Sequence, residues 1–294
     1  MKIYDLIIIG SGPAGITAGI YAKNFGLDAL IIGKEPGGLI NTAFKVENYP
    51  GIFNISGKDL TKKFEEHRKY LKIDLKKQRV ENIKKLKDIF KVFTEKQEYL
   101  CKSLILAFGT ETRKLNINDK FDGKGVEYNA SGNFKNKIVG VIGGANSAVM
   151  SAISLSKEAK KVYLIYRKDK LRADDIWVQR VKKIKNIEIL YKNNVIDLIG
   201  EKKLEKIVLQ DKELKVDNLI IEAGYTPNTY LINELGIKTD EKGYINVNEK
   251  QATNISGVFA AGDITDASNE FRQITTATAE ASVAVLGVFN FLKT

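Results

Sequence analysis

The chain opens with an apolar segment that leads directly into a glycine-rich turn. Residues 3–9 are rich in isoleucine and leucine, as in a buried parallel strand, and residues 16–25 have the composition of a helix. In the turn between them, the first glycine makes a tight bend, the second lets a pyrophosphate approach, and the third allows close helix–strand packing. The helix N-terminus offers free N–H groups to the anion. The pattern predicts an α/β fold with a dinucleotide site formed by Gly10, Gly12, Pro13, Ala14 and Gly15.

A second strand–turn–helix unit is predicted at residues 137–167, where Ile138–Ile142 reads as a strand and residues 147–157 as a helix. In this turn Ala145 stands where a glycine normally lets the pyrophosphate approach. The pattern still predicts a second nucleotide site, whose turn residues are Gly143, Gly144, Asn146 and Ser147.

Basic residues follow the closing strand of this second unit. Arg167, Lys168 and Arg172 occupy the region in which an NAD site carries an acidic residue for the ribose hydroxyls. Because guanidinium and ammonium groups suit a 2′-phosphate, we expect NADPH rather than NADH. The alternative is an exposed basic turn in a lysine-rich chain.

A third signal lies far along the chain, in residues 253–266. Gly257 turns the chain, residues 258–261 form a short apolar strand, and Gly262-Asp263 ends it. A carboxylate at the C-terminal end of a strand can accept hydrogen bonds from cofactor hydroxyls in the crevice of an α/β sheet. The alternative is an ordinary aspartate between a strand and a turn.

Composition limits the remaining possibilities. The 294 residues suffice for one large or two modest domains. The net charge is +11, and residues 61–102 hold 14 Lys+Arg against 7 Asp+Glu, or +7. This basic stretch is either a solvated surface or a docking face for an acidic electron-carrier protein.

We expect no nucleic-acid partner because no binding motif is present, and no membrane span because no apolar run approaches about 20 residues. Without an export signal, the expected location is the cytoplasm.

Several motifs, in order, resemble those of the low-molecular-weight thioredoxin reductase-like flavoproteins. Beyond the two glycine turns, the resemblance rests on Gly37-Gly38, on Val46-Glu47-Asn48-Tyr49-Pro50-Gly51, on Phe108-Gly109 followed by Arg113, on Asn146-Ser147-Ala148, on Tyr166-Arg167-Lys168 with Arg172, on Gly262-Asp263, and on Arg272-Gln273-Ile274. The resemblance extends over almost the whole chain.

The resemblance implies two Rossmann-like, three-layer domains, the second inserted in the first. A discontinuous domain, 1–112 and 248–294, would bind FAD, and residues 113–247 would bind NAD(P). The crossings near 112–116 and 243–247 would act as a hinge, and the chain would form a homodimer. Residues implied for the FAD site are Gly37, Gly38, Asn48, Gly109, Gly262, Asp263, Arg272, Gln273 and Ile274. A hydride would pass from NADPH to FAD.

The sequence departs from the family at residues 128–137. Disulfide-reducing members carry C-x-x-C-D-G here, whereas this segment has no cysteine and is two or three residues shorter. The chain's one cysteine, Cys101, cannot store two electrons as a disulfide and is expected to be structural. We therefore expect no catalytic acid, base or nucleophile and no metal, since the flavin itself would carry the chemistry.

The acceptor is consequently open. An acidic ferredoxin- or flavodoxin-like carrier ranks first, then dioxygen or a quinone, and disulfide reduction is disfavoured. Two alternatives remain: a flavoprotein reduced by a carrier protein, and a non-enzymatic or regulatory FAD-binding protein. His67 is expected on a helix surface. Trp177 is interpreted as packing rather than as a partner contact.

Overall fold

The computed structural model describes residues 2–115, 117, 119–130, 132–268 and 271–294. The chain divides into two compact units. Unit 1 comprises Met1–Glu111 and Thr226–Thr294, and unit 2 is the contiguous stretch Thr112–Tyr225.

Both units contain strands and helices. The strands are β1 (Ile3–Ile9), β2 (Ala29–Ile32), β3 (Asp74–Lys76), β4 (Val80–Leu86), β5 (Ile89–Thr94), β6 (Glu98–Leu106), β7 (Thr110–Thr112), β8 (Val126–Glu127), β9 (Ile138–Ile142), β10 (Lys161–Tyr166), β11 (Ile187–Tyr191), β12 (Val195–Ile199), β13 (Lys206–Leu209), β14 (Glu213–Lys215), β15 (Asn218–Ile221), β16 (Tyr225–Pro227) and β17 (Val258–Ala260). The α-helices are α1 (Pro13–Asn24), α2 (Gly57–Tyr70), α3 (Asn146–Leu155), α4 (Asp175–Lys182), α5 (Tyr230–Glu234) and α6 (Ile274–Phe291), with short 3-10 helices at Gly38–Thr42 and Asp119–Phe121.

Unit 1 is built on a seven-stranded sheet in the order β3-β2-β1-β6-β5-β4, with β17 paired to β6. The long strand β6 has three partners. One edge pairs parallel with β1, and on the other edge its first half pairs antiparallel with β5 and its last three residues pair parallel with β17. Successive residues of β1 serve opposite faces, as the pleat of a strand requires. Leu6 and Ile8 pack with α1 and α6, whereas Ile7 and Ile9 join the core on the other face.

Unit 2 has three layers. A parallel sheet in the order β11-β10-β9-β15-β8 forms the middle layer. Helices α3 and α4 cover one face around Trp177, and the antiparallel sheet β12-β13-β14 covers the other. Both units are thus α/β Rossmann-type folds, as the two glycine turns predicted.

The return from unit 2 to unit 1 lies earlier than the predicted crossing at 243–247. Unit 1 resumes at Thr226, and β7 pairs with β16 where the chain passes between units. Ile232, Ile237 and Ile245 are buried in the same core as Val80 and Ile83 of β4. Their burial explains why this stretch belongs to unit 1 rather than to the inserted unit. Asn116, within the predicted first crossing, lies outside the described residues.

Helix α6 is long and apolar enough, by length and composition, to cross a membrane. One face of it is nevertheless buried in the core of unit 1, through Ala277, Ala281, Ala284 and Val288. A core helix passes the same composition test, and the packing accounts for the apolar residues of α6 on that face.

Candidate nucleotide-binding sites

Three strands of unit 1 end at one edge of the sheet. The register pairs Ile9 of β1 with Leu106 of β6, and Leu106 with Ala260 of β17. The next residues are also joined, because the Ala107 N–H donates to the Ile9 carbonyl at 2.7 Å and the Ala261 N–H to the Leu106 carbonyl at 3.0 Å. The turns that follow these strands therefore surround one crevice, where α/β proteins bind ligands.

The glycine turn after β1 leaves little room at two of its three glycines. Gly10 has a positive φ of 120°, and a Cβ there would lie 2.1 Å from the Ala107 carbonyl oxygen. A Cβ on Gly15 would lie 1.9 Å from the Gly10 carbonyl oxygen. Gly12, the N-cap of α1, has more space around it. Among the described residues, only the Gly37 carbonyl oxygen would lie within 4 Å of a Cβ on Gly12, at 3.9 Å. The space beside Gly12 is thus open to a ligand.

Two glycine variants should separate folding from cofactor binding. Gly12→Ala is expected to cost the FAD-free protein less than about 1 kcal/mol, since φ is −76° and no atom is in the way. Its added methyl should lower FAD affinity by about tenfold or more, by filling the space a pyrophosphate would use. Gly15→Ala should instead destabilise the fold by several kcal/mol through its backbone clash. Urea unfolding and FAD titration test both. Equal losses of FAD affinity and stability in Gly12→Ala would contradict the assignment.

The Gly37-Gly38 turn lies beside the first glycine turn. The Gly37 N–H donates to the Ser11 carbonyl at 2.8 Å, and a Cβ on Gly38 would lie 3.7 Å from the Gly12 Cα. Both glycines have positive φ, 90° and 53°, which explains their residue type. Two predicted glycine segments are thereby placed at the same crevice.

The predicted segments around Asn48 and Gln273 also meet. The Asn48 side-chain amide donates to the Gln273 side-chain oxygen at 2.9 Å, across 225 positions of sequence. Gln273 caps α6 in a capping box with Thr276, and Ile274 packs against the cluster that contains Val46. Gly109 has a positive φ of 65°, and a Cβ there would meet no described atom within 4 Å.

Asp263 presents a partly buried carboxylate at this edge. Burial raises the pKa of Asp263 to about 6, against a lowering by the Arg272 guanidinium and a further increase from Glu280. No described residue donates a hydrogen bond to this carboxylate. Arg272 donates instead to the Asp263 main-chain carbonyl at 3.2 Å and stacks on the Tyr244 ring, 3.7 Å from its centroid. Asp263 is therefore a partly buried acceptor to which no described residue donates.

Glu280 was missed by the sequence reasoning, although it is the only charged residue in α6. Its carboxylate is buried and accepts hydrogen bonds from the Gly262 N–H at 2.8 Å, Thr265 Oγ1 at 3.1 Å and Ser268 Oγ at 2.6 Å. These bonds hold the turn that carries Asp263. An isolated charge in an apolar helix was the available signal.

These features fit FAD. The crevice combines an open space beside Gly12, the N-terminus of α1, and an acceptor without a donor at Asp263. A dinucleotide requires room for its pyrophosphate, N–H groups for its charge, and an acceptor for its ribose hydroxyls. The assignment of the individual residues to this cofactor stays a prediction.

The second glycine turn, after β9 in unit 2, is more crowded. Gly143 has a positive φ of 142°, and a Cβ there would lie 2.5 Å from the Glu222 carbonyl oxygen. A Cβ on Gly144 would lie 2.5 Å from the ring of Tyr166, which is itself buried. Ala145 has extended backbone as the N-cap of α3. The turn conformation of a nucleotide site is therefore present, with the alanine methyl at its helix N-terminus.

The predicted basic residues lie next to this turn. The Arg172 N–H donates to the Gly144 carbonyl at 2.7 Å, which joins the segment after β10 to the glycine turn. Arg167, Lys168 and Arg172 are exposed. The side chain of Asn146 already has two hydrogen bonds with Asp174. Its amide nitrogen donates to the Asp174 carboxylate at 3.0 Å, and its amide oxygen accepts from the Asp174 main-chain N–H at 2.8 Å. Ser147 lies in the first turn of α3.

The segment that replaces the cysteine pair contributes to the core of unit 2. Phe134 is 1% exposed and packs with α3 and β9. Its N–H donates to the Glu158 side chain at 3.3 Å. Ser131 lies outside the described residues. Residues 128–137 thus include a buried aromatic anchor in place of a redox loop.

The remaining single-residue predictions are confirmed. Cys101 is fully buried, and burial raises the pKa of its thiol to about 12, so it is a structural cysteine. His67 is exposed in the last turn of α2. Trp177 is buried in unit 2, where its ring also contacts the Arg180 guanidinium.

Comparison with known proteins identifies the family. Residues 4–281 match the family model described as pyridine nucleotide-disulphide oxidoreductase. The chain is 38% identical to the "34.2 kDa protein in rubredoxin operon" of Clostridium pasteurianum, over 97% of this chain and 96% of that protein.

Solved structures lead to the same family. The thioredoxin reductase of Lactococcus lactis superposes with a TM-score of 0.95 at 34% identity, covering 99% of both chains. A ferredoxin-flavin thioredoxin reductase of Clostridium acetobutylicum is 30% identical with a TM-score of 0.57, covering 100% of this chain and 98% of that one. With its two Rossmann-type units and its single buried thiol, this chain belongs to the pyridine nucleotide-disulphide oxidoreductases, as a thioredoxin reductase-like, FAD-dependent NAD(P)H oxidoreductase without a redox-active cysteine pair.

Proposed function

We propose that this chain takes electrons from NADPH and passes them to an acceptor other than a dithiol. The observation that carries the proposal is the state of its only thiol. Cys101 is fully buried in β6, and burial raises the pKa of its thiol to about 12. A buried thiol protonated at neutral pH neither attacks a disulfide nor exchanges with one.

We propose that unit 1 holds FAD through the residues predicted for it. The turns at Gly10–Gly15 and Gly37-Gly38 would surround the pyrophosphate, with the N-terminus of α1 supplying N–H groups. Asp263 would accept hydrogen bonds from ribose hydroxyls, and Glu280 would hold its turn in place. The Asn48–Gln273 pair and Arg272 would position the segments that approach the flavin ring. When bound, FAD would accept a hydride from the nicotinamide and release electrons to the acceptor.

The preference for NADPH is supported by the end of β10. Arg167, Lys168 and Arg172 are exposed there, and a 2′-phosphate would pair with them. NADH remains the weaker candidate, because it lacks that phosphate. Ala145 sets a limit on how closely the pyrophosphate would approach the turn.

For the acceptor we propose a small acidic carrier protein ahead of dioxygen or a quinone. Residues 61–102 have a net charge of +7, and the β4–β5 hairpin exposes Lys84, Lys85 and Lys87. Two relatives have names that include carriers, rubredoxin in one and ferredoxin in the other. The ferredoxin-containing name also supports a second candidate, in which a reduced carrier supplies the electrons in place of NADPH. The enzyme is further proposed to act as a homodimer in the cytoplasm.

An anaerobic titration tests the electron donor. FAD-loaded protein is mixed with a slight excess of NADPH, and separately of NADH, while the visible absorbance of the flavin is followed. We expect NADPH to bleach the flavin within seconds and NADH to do so more slowly. Reduced ferredoxin and reduced flavodoxin serve as parallel donors. Absence of bleaching by either nucleotide within minutes, with bleaching by a carrier, would favour the second candidate; no bleaching by any donor would favour a regulatory flavoprotein.

A further inference from the structure

Glu222 is a charged residue at the C-terminal end of β15 that the sequence reasoning did not use. Its N–H donates to the Ile142 carbonyl at 2.9 Å, and its own carbonyl lies against the Gly143 turn. Ser151 Oγ, on α3, donates to Glu222 Oε1 at 2.8 Å. No other described residue donates to this carboxylate, so Oε2 has an open acceptor position.

The position of Glu222 in the sheet is distinctive. All strands of the sheet β11-β10-β9-β15-β8 are parallel, but the chain adds them in opposite directions from β9. Strand β10 lies on one side of β9 and β15 on the other, so the order of the strands reverses between β9 and β15. Ligands of open α/β sheets bind in the crevice at this reversal, outside the carboxyl ends of the strands. Glu222 is the first residue after β15, and the glycine turn directly follows β9.

The two ends of a dinucleotide would lie on opposite sides of this reversal. The adenosine ribose lies at the end of the strand after the glycine-turn helix, here β10 with its Arg167 and Lys168. With the pyrophosphate at the N-terminus of α3, the other half of the nucleotide extends over β15. Glu222 lies at the end of that strand.

The chemistry of the carboxylate suits that half. Burial raises the pKa of Glu222, although the Ser151 hydroxyl lowers it. Nicotinamide riboside offers hydrogen-bond donors in its carboxamide NH₂ and its ribose hydroxyls. Glu222 is partly buried and no described residue donates to Oε2, so a ligand donor could take this position and form a hydrogen bond with a charged acceptor.

We propose that Glu222, oriented by Ser151, is a binding residue that accepts a hydrogen bond from the nicotinamide riboside half of the pyridine nucleotide. The proposal rests on the proposed function, because it requires that unit 2 bind such a nucleotide. In the competing interpretation, Glu222 only joins β15 to α3 through Ser151.

Comparing the whole nucleotide with its adenosine half distinguishes a ligand-binding role of Glu222 from a structural one. NADP⁺ contains the nicotinamide riboside, whereas 2′,5′-ADP contains only the adenosine half with its 2′-phosphate. Both are titrated calorimetrically into FAD-loaded wild type, Glu222→Ala, Glu222→Gln and Ser151→Ala. We expect Glu222→Ala to weaken NADP⁺ binding about tenfold and to leave 2′,5′-ADP binding within about twofold. Ser151→Ala should show a smaller loss with the same selectivity.

Asp217→Asn is the matched control. Asp217 is a carboxylate just before the opposite end of β15, where it accepts a hydrogen bond from the Ile138 N–H at 2.8 Å. This variant should change stability without changing the ratio of the two affinities. If Glu222→Ala fails to fold, Glu222→Gln keeps the size of the side chain and should still lose NADP⁺ selectively, by about threefold.

The outcomes separate the two proposals. Equal losses for both ligands, or no loss for either, would overturn the assignment of Glu222 while leaving nucleotide binding intact. A wild type that binds neither ligand would overturn the proposed NADPH function itself and, with it, this assignment. A selective loss of NADP⁺ supports both.

Discussion

Replacing Asp263 with asparagine is expected to weaken FAD binding while making the FAD-free protein more stable at neutral pH. The carboxylate has no described hydrogen-bond donor, and burial raises its pKa to about 6. A ribose hydroxyl would supply the missing donor, and a hydrogen bond to a charged acceptor is worth about 1.5–3 kcal/mol. We therefore expect FAD affinity to fall by about tenfold to a hundredfold.

The stability gain has a definite pH window. The pKa of Asp263 is about 6 in the native protein, against an ordinary 3.8, so the native state binds the proton more tightly. The contribution of Asp263 to wild-type stability therefore falls as pH rises from about 4 to about 6 and stays lowered above that range. Asparagine does not titrate, so above pH 6 the variant should be more stable by on the order of 2 kcal/mol.

Urea unfolding of FAD-free protein at several pH values between 4 and 8 measures this difference. Asp266→Asn is the control, because Asp266 accepts hydrogen bonds from the Asn246 side chain at 2.7 Å and the Val247 N–H at 3.1 Å. Weakening these bonds should destabilise the protein by about 1 kcal/mol. The assignment of Asp263 fails if its asparagine variant is less stable than wild type at pH 7, or if it binds FAD normally.

Removing two guanidinium groups from the end of β10 should largely abolish the preference for NADPH. Arg167 and Arg172 are exposed on either side of residues 168–171, and the backbone of Arg172 is fixed to the Gly144 carbonyl. Each contact with a 2′-phosphate dianion is a charge-assisted hydrogen bond, though partly screened by solvent. The double variant Arg167→Ala/Arg172→Ala should lower the ratio of NADPH to NADH efficiency by about thirtyfold or more.

The measurement is the rate of anaerobic flavin reduction over a range of nucleotide concentrations. Lys170→Ala removes an exposed charge from the same turn and should leave the ratio within about twofold. A double variant that reduces its flavin with both nucleotides as wild type does would exclude these arginines as phosphate contacts. It would also favour a carrier as the natural electron donor.

Local chemistry made the core of each unit predictable. The strand Ile138–Ile142 has the predicted bounds, because its apolar run ends abruptly at a glycine turn. Helix α1 begins at Pro13, earlier than the predicted residue 16, since proline is favoured in the first turn of a helix. The short apolar strand predicted at residues 258–261 is also found, as β17 (Val258–Ala260), one residue shorter than predicted.

Long-range features were less accessible. Ile232, Ile237 and Ile245 are visibly apolar, but hydrophobicity does not tell which of two cores a residue joins. The same holds for two glutamates, whose hydrogen-bond partners cannot be read from the local sequence. Glu222 accepts from Ser151, and Glu280 accepts from Thr265 and Ser268. Each acquires its role from a neighbour distant in sequence.

The pairing of β17 with β6 also dictates an order of assembly. Strand β6 is complete at Leu106, and β1 pairs with one edge of its last three residues, yet their other edge finds its partner only at Val258–Ala260. Unit 2, which is contiguous, is synthesised entirely in that interval. On the ribosome the inserted unit is therefore complete while unit 1 still has an open strand edge. If Asp263 and the start of α6 hold FAD as proposed, FAD would be loaded only after unit 2 has been synthesised.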